Sequence, residues 1–191
     1  MLPRIEATFA PVCQAAGVPW PPPRLQVLAF KQERSLEVWA AGLETGYVRL
    51  TSYPVLAASG GLGPKRREGD RQVPEGFYRL SDLNPNSAFF LSLRVDYPNE
   101  TDRARSKLSL PEMGGDIFVH GRAVSRGCLA IGDDAIEELF ALASLVPAEQ
   151  RRILIAPVDF RTGAPAPPAD ERWVRDLYAS MRTELEPFRN R

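Results

Sequence analysis

Seven short β-prone stretches fill the middle of the chain and confine it to a mainly β architecture. They cover residues 25–30, 35–39, 47–57, 76–80, 87–95, 116–119 and 153–158, each rich in branched or aromatic residues and bounded by turn formers. Leu36 and Val38 alternate with polar neighbours, as in a strand buried on one face. Pro54 interrupts residues 47–57 and predicts an edge or a bend there. Asn84-Pro85-Asn86-Ser87 reads as the turn between residues 76–80 and 87–95. Helical spacing is confined to three places. Residues 3–17 carry Ile5, Phe9, Val12 or Cys13, and Ala16; a helix from Asp134 carries Ile136, Leu139, Phe140 and Ala143 behind a capping box, Asp134 to Glu137. Residues 171–187 carry Trp173, Leu177, Met181 and Leu185, a stripe expected to pack back on the same domain. The predicted organisation is a helix and proline-rich connector over 1–24, a β-rich domain over 25–160, and a proline-rich linker and helix over 161–191.

Charge excludes some functions. Twenty-four basic residues balance twenty-four acidic ones, which disfavours a nucleic-acid partner. No apolar run reaches the length of a membrane span. Met1-Leu-Pro-Arg-Ile-Glu-Ala7 places charges where a signal peptide would carry its apolar core. One histidine and two cysteines, with no Cys-x-x-Cys, do not make a conventional zinc site. Both cysteines are expected to be free, and Cys13 to be a small core residue on its helix.

The chemistry-bearing residues gather in Asp116 to Asp133. This stretch holds the single histidine, His120, and Cys128, with Gly121, Ser125 and Gly127 between them. A thiol needs a base to become a nucleophile, and imidazole suits that task near neutral pH. Residues 116–119 would deliver His120 at a strand end; Gly127 would let backbone approach a substrate or adopt positive φ. The amides of Gly127 and Cys128 are candidate oxyanion donors. The pattern suits cysteine acyl transfer: thiolate attack on a carbonyl, a thioester, then transfer to an amine or water. A buried histidine beside an inert cysteine is the alternative.

His120-Gly121 … Ser125-x-Gly127-Cys128 resembles the active-site signature of the L,D-transpeptidase (YkuD-like) family of cell-wall enzymes. The resemblance extends to Gly63-Pro64-Lys65 … Glu68-Gly69-Asp70 … Pro74-Glu75-Gly76-Phe77-Tyr78, Leu83-Asn84-Pro85-Asn86-Ser87 and Tyr97-Pro98-Asn99 … Asp102-Arg103, together covering roughly residues 25–160. It is nearest the branch with a short His-to-Cys gap, which contains the peptidoglycan meso-diaminopimelate protein amidase. Two positions depart from the commoner signature. Arg126 stands where a second histidine precedes Gly-Cys, and Leu129-Ala130-Ile131 replaces a following arginine or asparagine.

The resemblance implies a β-sandwich with peripheral helices, mainly β (α+β). It implies Cys128 as nucleophile, His120 as base, and Ser125 and Gly127 as shaping the site, with neither cofactor nor metal. Lys65, Tyr97, Arg103, Arg122 and Arg126 are the expected substrate contacts, and residues 60–70 a mobile loop bordering the site. For Arg103, an internal pairing with Asp102 is the alternative. The implied substrate is a peptidoglycan stem peptide, with a wall-linked lipoprotein as a further partner, in the periplasm or at the wall. Transpeptidation and amide hydrolysis both follow from the thioester. A secreted antibacterial toxin with the same chemistry and a non-catalytic wall-binding module are the other readings.

Overall fold

In a computed structural model, which describes residues 1–189, the β-prone stretches form one continuous sheet. The elements in chain order are α1 (Leu2–Ala15), β1 (Arg24–Phe30), β2 (Ser35–Ala41), β3 (Val48–Pro54), β4 (Ala57–Ala58), β5 (Gly76–Ser87) and β6 (Phe90–Val95). They continue with α2 (Glu100–Arg105), α3 (Leu110–Met113), β7 (Ile117–His120), β8 (Leu129–Ala130), α4 (Asp133–Ser144), β9 (Arg151–Ala156) and α5 (Arg172–Glu184). The sheet order is β3-β2-β1-β9-β5-β6-β7-β8-β4. Only β1–β9 and β7–β8 are parallel among these pairs.

Strand β5 curls this sheet into a sandwich. Its start, Gly76 to Arg79, pairs with β9, and from Leu80 onward it pairs with β6. Register shifts between Leu80 and Leu83 and between Asn84 and Ser87 bend the strand at the handover. The two halves then face each other across one core, where Val27 and Ile153 meet Leu93, Val119 and Leu129. Helix α1 contributes Ile5 and Phe9 to this core, and α4 contributes Ile136, Leu139 and Leu142. Cys13, also on α1, is fully buried.

A second core lies on the other face of β1, β2 and β9. Leu28, Trp39 and Leu154 pack there against Val174, Leu177, Tyr178 and Met181 of α5. Burial of each large side chain of this kind contributes about 1.5–3 kcal/mol. The C-terminal stripe therefore packs on its own sheet.

This second layer corrects one expectation. Strand β2 is covered on both faces, because α5 and the segment after it lie over the side that reads as polar. Glu37 is tolerated there because Arg161 donates to both of its carboxylate oxygens at 2.9 Å and Trp39 Nε1 donates to one. Residues 84–87 also differ from expectation. They extend β5 instead of forming the turn, since Asn84 and Ser87 pair with Ser92 and Phe90. Pro54 ends β3 at the sheet edge, as the sequence predicts. Helix α4 is capped at Gly132, and the Asp134–Glu137 capping box does not form. Asp133 instead turns its carboxylate back to accept from the Arg122 amide at 2.7 Å. No helix among the described residues is long and apolar enough to cross a membrane.

Candidate active site

Pairing places His120 and Cys128 on one face. Ser92 and Arg94 of β6 oppose His120 and Phe118 of β7. Across the parallel β7–β8 pair, Val119 opposes Leu129 and His120 opposes Ala130. Side chains alternate along a strand, so Val119 and Leu129 enter the core while Phe118, His120, Ala130 and the preceding Cys128 project outward. His120 and Cys128 are thus diagonal neighbours, a separation that side chains of their length can bridge.

Two non-glycine residues with left-handed backbone bracket β7, Asp116 (φ 54°) and Arg122 (φ 58°). Such conformations cost energy and persist where surrounding contacts hold them. The bend at Asp116 aims its carbonyl at the thiol, which donates to it over 3.7 Å. The bend at Arg122 is held by Asp133.

His120 is 1% exposed, with the Phe89 ring 4.6 Å away between centroids. Its Nδ1 lies 2.6 Å from the Gly121 carbonyl oxygen. A carbonyl only accepts, so Nδ1 carries the hydrogen and Nε2 holds the free lone pair. Gly121 is required at this turn. A Cβ there would lie 2.8 Å from the Phe89 carbonyl oxygen and 2.6 Å from Asp133 Oδ1. Gly121→Ala is expected to destabilise the fold by about 1–3 kcal/mol through overpacking, read as a lower urea midpoint.

The turn before Cys128 is held by hydroxyls. Ser125 Oγ donates to the Cys128 carbonyl at 2.7 Å and accepts from the Cys128 amide at 3.1 Å. Ser59 Oγ accepts from the Gly127 amide at 2.6 Å and donates to the Arg71 carbonyl at 2.7 Å. Both proposed oxyanion donors are therefore occupied in this structure. Gly127 has φ 99°, the positive value its sequence position suggests.

Burial pushes the His120 imidazole below its ordinary value of 6.5, against a smaller opposing effect of the bond to Gly121. Burial likewise pushes the Cys128 thiol above 9.0. Both shifts favour a neutral thiol beside a neutral imidazole. A base with a depressed pKa stays unprotonated through 6.5 and charges only at lower pH. Alkylation of Cys128 by iodoacetamide, followed by mass spectrometry over about pH 5–10, is expected to keep its base-assisted rate down through pH 6.5 and lose it below. In His120→Gln that assistance disappears, leaving only a rise above pH 9.

The expected substrate contacts fall into two groups. Lys65 and Tyr97 are 8% and 4% exposed, and the Lys65 ammonium lies 6.0 Å from the Tyr97 ring centroid. Lys65 Nζ also donates to Asp70 Oδ1 at 2.6 Å. Arg103, Arg122 and Arg126 are exposed. Arg103 donates to the Pro98 carbonyl at 2.8 Å; Asp102 instead accepts from the Asn99 amide and the Tyr78 hydroxyl, so the Asp102–Arg103 pair is not formed. The loop over 60–70, expected to be mobile, is tied at several points. Asp70 accepts from the amides of Arg66, Arg67 and Gln72, while Lys31 and Glu75 grip Gly63. Ser59, Phe89 and the Asp116 carbonyl escaped the sequence reading. Ser59 and Phe89 lie 68 and 31 residues before Gly127 and His120 along the chain, and the Asp116 carbonyl is a main-chain group whose aim no residue type announces.

Comparison with known proteins agrees with this architecture. The chain is 39% identical over 113 residues to YafK of Escherichia coli K12, a protein named as a candidate L,D-transpeptidase. The match covers 58% of this chain and 44% of YafK, so the chain spans under half of that relative's length. Among solved structures it resembles the helical cell shape determining protein Pgp2 of Campylobacter jejuni, with TM-score 0.54 and 23% identity over 70% of this chain and 46% of that one. It also resembles Bd1075 of Bdellovibrio bacteriovorus, with TM-score 0.52 and 25% identity over 86% and 55%. The sequence profile of the L,D-transpeptidase catalytic domain (YkuD) matches residues 26–159, and with most of its length inside that match the chain belongs to the L,D-transpeptidase catalytic domain family.

Proposed function

We propose that the protein is a cysteine acyl-transfer enzyme acting on peptidoglycan stem peptides at a meso-diaminopimelate carbonyl. The observation that carries this reading is the 2.6 Å approach of His120 Nδ1 to the Gly121 carbonyl oxygen, which assigns the ring hydrogen to Nδ1. Its Nδ1–H is committed to the Gly121 carbonyl, and Nε2 is left as an acceptor on the face that carries Cys128. Nε2 takes the thiol proton as sulfur attacks the carbonyl carbon. The tetrahedral intermediate collapses with cleavage of the C–N bond, and the imidazolium returns the proton to the departing amine. A thioester on Cys128 remains. An acceptor amine or water then adds to it, gives a proton to His120, and the thiol is regenerated. For the Gly127 or Cys128 amide to meet the oxyanion, the Ser59 or Ser125 hydroxyl must rotate away.

Membership of the family supports the substrate class, and Pgp2, the helical cell shape determining protein, connects a similar fold to cell shape. Arg103, Arg122 and Arg126 present guanidinium groups suited to stem-peptide carboxylates. Action at the wall would place the protein in the periplasm or cell wall, with wall-linked lipoprotein as one leaving group or acceptor. Intact-protein mass spectrometry with a stem tetrapeptide and a tripeptide–lysine amide tests the proposal. An adduct on Cys128 with cross-linked product identifies transpeptidation, whereas tripeptide with free lysine identifies the amidase. Failure of both donors to acylate Cys128 would sink the reading.

A further inference from the structure

The outward face that carries Cys128 continues across two more strands. Arg94 on β6 opposes Phe118 on β7. Phe118 is next to the Cys128 position, one residue before the registered Val119–Leu129 pair. One row therefore crosses the sheet from Arg94 through Phe118 to Cys128, two strand spacings or about 10 Å. Its far end opens into a cavity of about 350 Å³ under the loop over 97–115, bounded by Arg94, Asp96, Arg103, Leu110 and Gly115.

The charge balance of this cavity favours an anion. Asp96 is already engaged, accepting from the Arg79 amide at 2.7 Å and from Arg79 Nε at 3.0 Å. Arg103 uses Nη1 on the Pro98 carbonyl and makes no ion pair among the described residues. Among the described residues Arg94 meets an acid only at the Asp116 carboxylate, 3.8 Å away with that side chain 86% exposed. That loose approach shows a carboxylate can reach the guanidinium from the Cys128 side. Leu110, 56% exposed, supplies an apolar wall.

We propose that Arg94, with Arg103 across the cavity, forms a carboxylate subsite for the acyl donor, gripping the carboxylate of the residue next to the one acylated at Cys128. This rests on the acyl-transfer reading above. A guanidinium fork suits the planar anion, and the row between the subsite and the thiol would lay the donor across Phe118.

Binding is measured by calorimetry on the Cys128→Ala protein, where no turnover intervenes. The probes are a γ-D-glutamyl-meso-diaminopimelate peptide with its glutamyl α-carboxylate free, and the same peptide amidated there. The free form is expected to bind about tenfold more tightly or better, as for a charge-assisted contact. Adding Arg94→Gln should erase that preference while the amidated peptide binds as before; Arg103→Gln should reduce it. Arg94 is half exposed, so folding should survive, and thermal melting checks this. Equal weakening of both peptides, an undiminished preference, or no binding of either would overturn the subsite. Acylation of the wild-type protein is read separately. Selective binding without any thioester would overturn the catalytic reading while leaving the subsite standing, whereas a thioester without carboxylate preference would do the reverse.

Discussion

Cys128→Ala is expected to leave the protein folded and to remove acyl transfer, lowering turnover by about 10⁴-fold or more, the scale seen when a nucleophile acting with its base is deleted. The thiol is half-buried and makes one long contact, with the Asp116 carbonyl, so its loss should move the melting temperature little. His120→Gln should cost about 10²–10⁴-fold, the usual range for a lost general base. The double variant should be no worse than Cys128→Ala, because the base has nothing to activate once the sulfur is gone. Turnover on stem peptides and the mass of the acylated protein measure all three. A Cys128→Ala protein that still released lysine from the donor would refute the assignment outright. Cys13, fully buried with its thiol pushed up by desolvation, should remain unlabelled in every variant and serve as an internal control.

The largest expected effect on stability lies away from the sulfur, at Glu75. Its side chain is fully buried, and its Oε1 accepts from Lys31 Nζ at 2.9 Å and the Gly63 amide at 2.7 Å. Its Oε2 accepts from the Tyr178 hydroxyl of α5 at 2.8 Å. Three separate parts of the chain thus meet at one carboxylate: the end of β1, the loop over 60–70, and the C-terminal helix. Burial lowers the Lys31 ammonium, with the charge of Glu75 opposing that effect. Glu75→Ala would leave the ammonium buried beside only carbonyl oxygens. Breaking such a pair from one side typically costs about 3–5 kcal/mol, so urea unfolding should show a loss of that order. Combining Lys31→Met with Glu75→Leu should cost less than the sum of the single changes, because the orphaned charge disappears with its partner. A loss under about 1 kcal/mol for Glu75→Ala would show that water enters and solvates Lys31, and that the network does not anchor the loop.

Much of this was legible in the chain because it is local. Ile5, Phe9 and Cys13 mark the buried stripe of α1, and the stripe led by Leu177 and Met181 marks α5, since helical side chains four apart share a face. Family membership followed from ordered blocks around His120 and Cys128, and the comparison over residues 26–159 bears it out. Local pattern misled where tertiary contacts outweigh it. Residues 84–87 look like a turn, yet pairing with β6 draws them into β5. Asp134 looks like a helix cap, yet the neighbouring Asp133 is taken by the Arg122 turn and the cap falls two residues earlier, at Gly132.

The sequence by itself determined the strand-rich class, the amphipathic terminal helices, and the placing of the single imidazole eight residues before Cys128. These depend on residue type and on periods of two and 3.6, which are properties of short segments. Only the tertiary structure decided that His120 and Cys128 share a face, that Gly121 sets the tautomer, and that Ser59 holds the Gly127 amide across 68 residues of chain. It also decided that Lys65 and Tyr97 turn toward each other while Arg94 lines a cavity on the Cys128 row. Those relations arise from strand register and from the curl at β5, and register is set by the burial of many side chains at once.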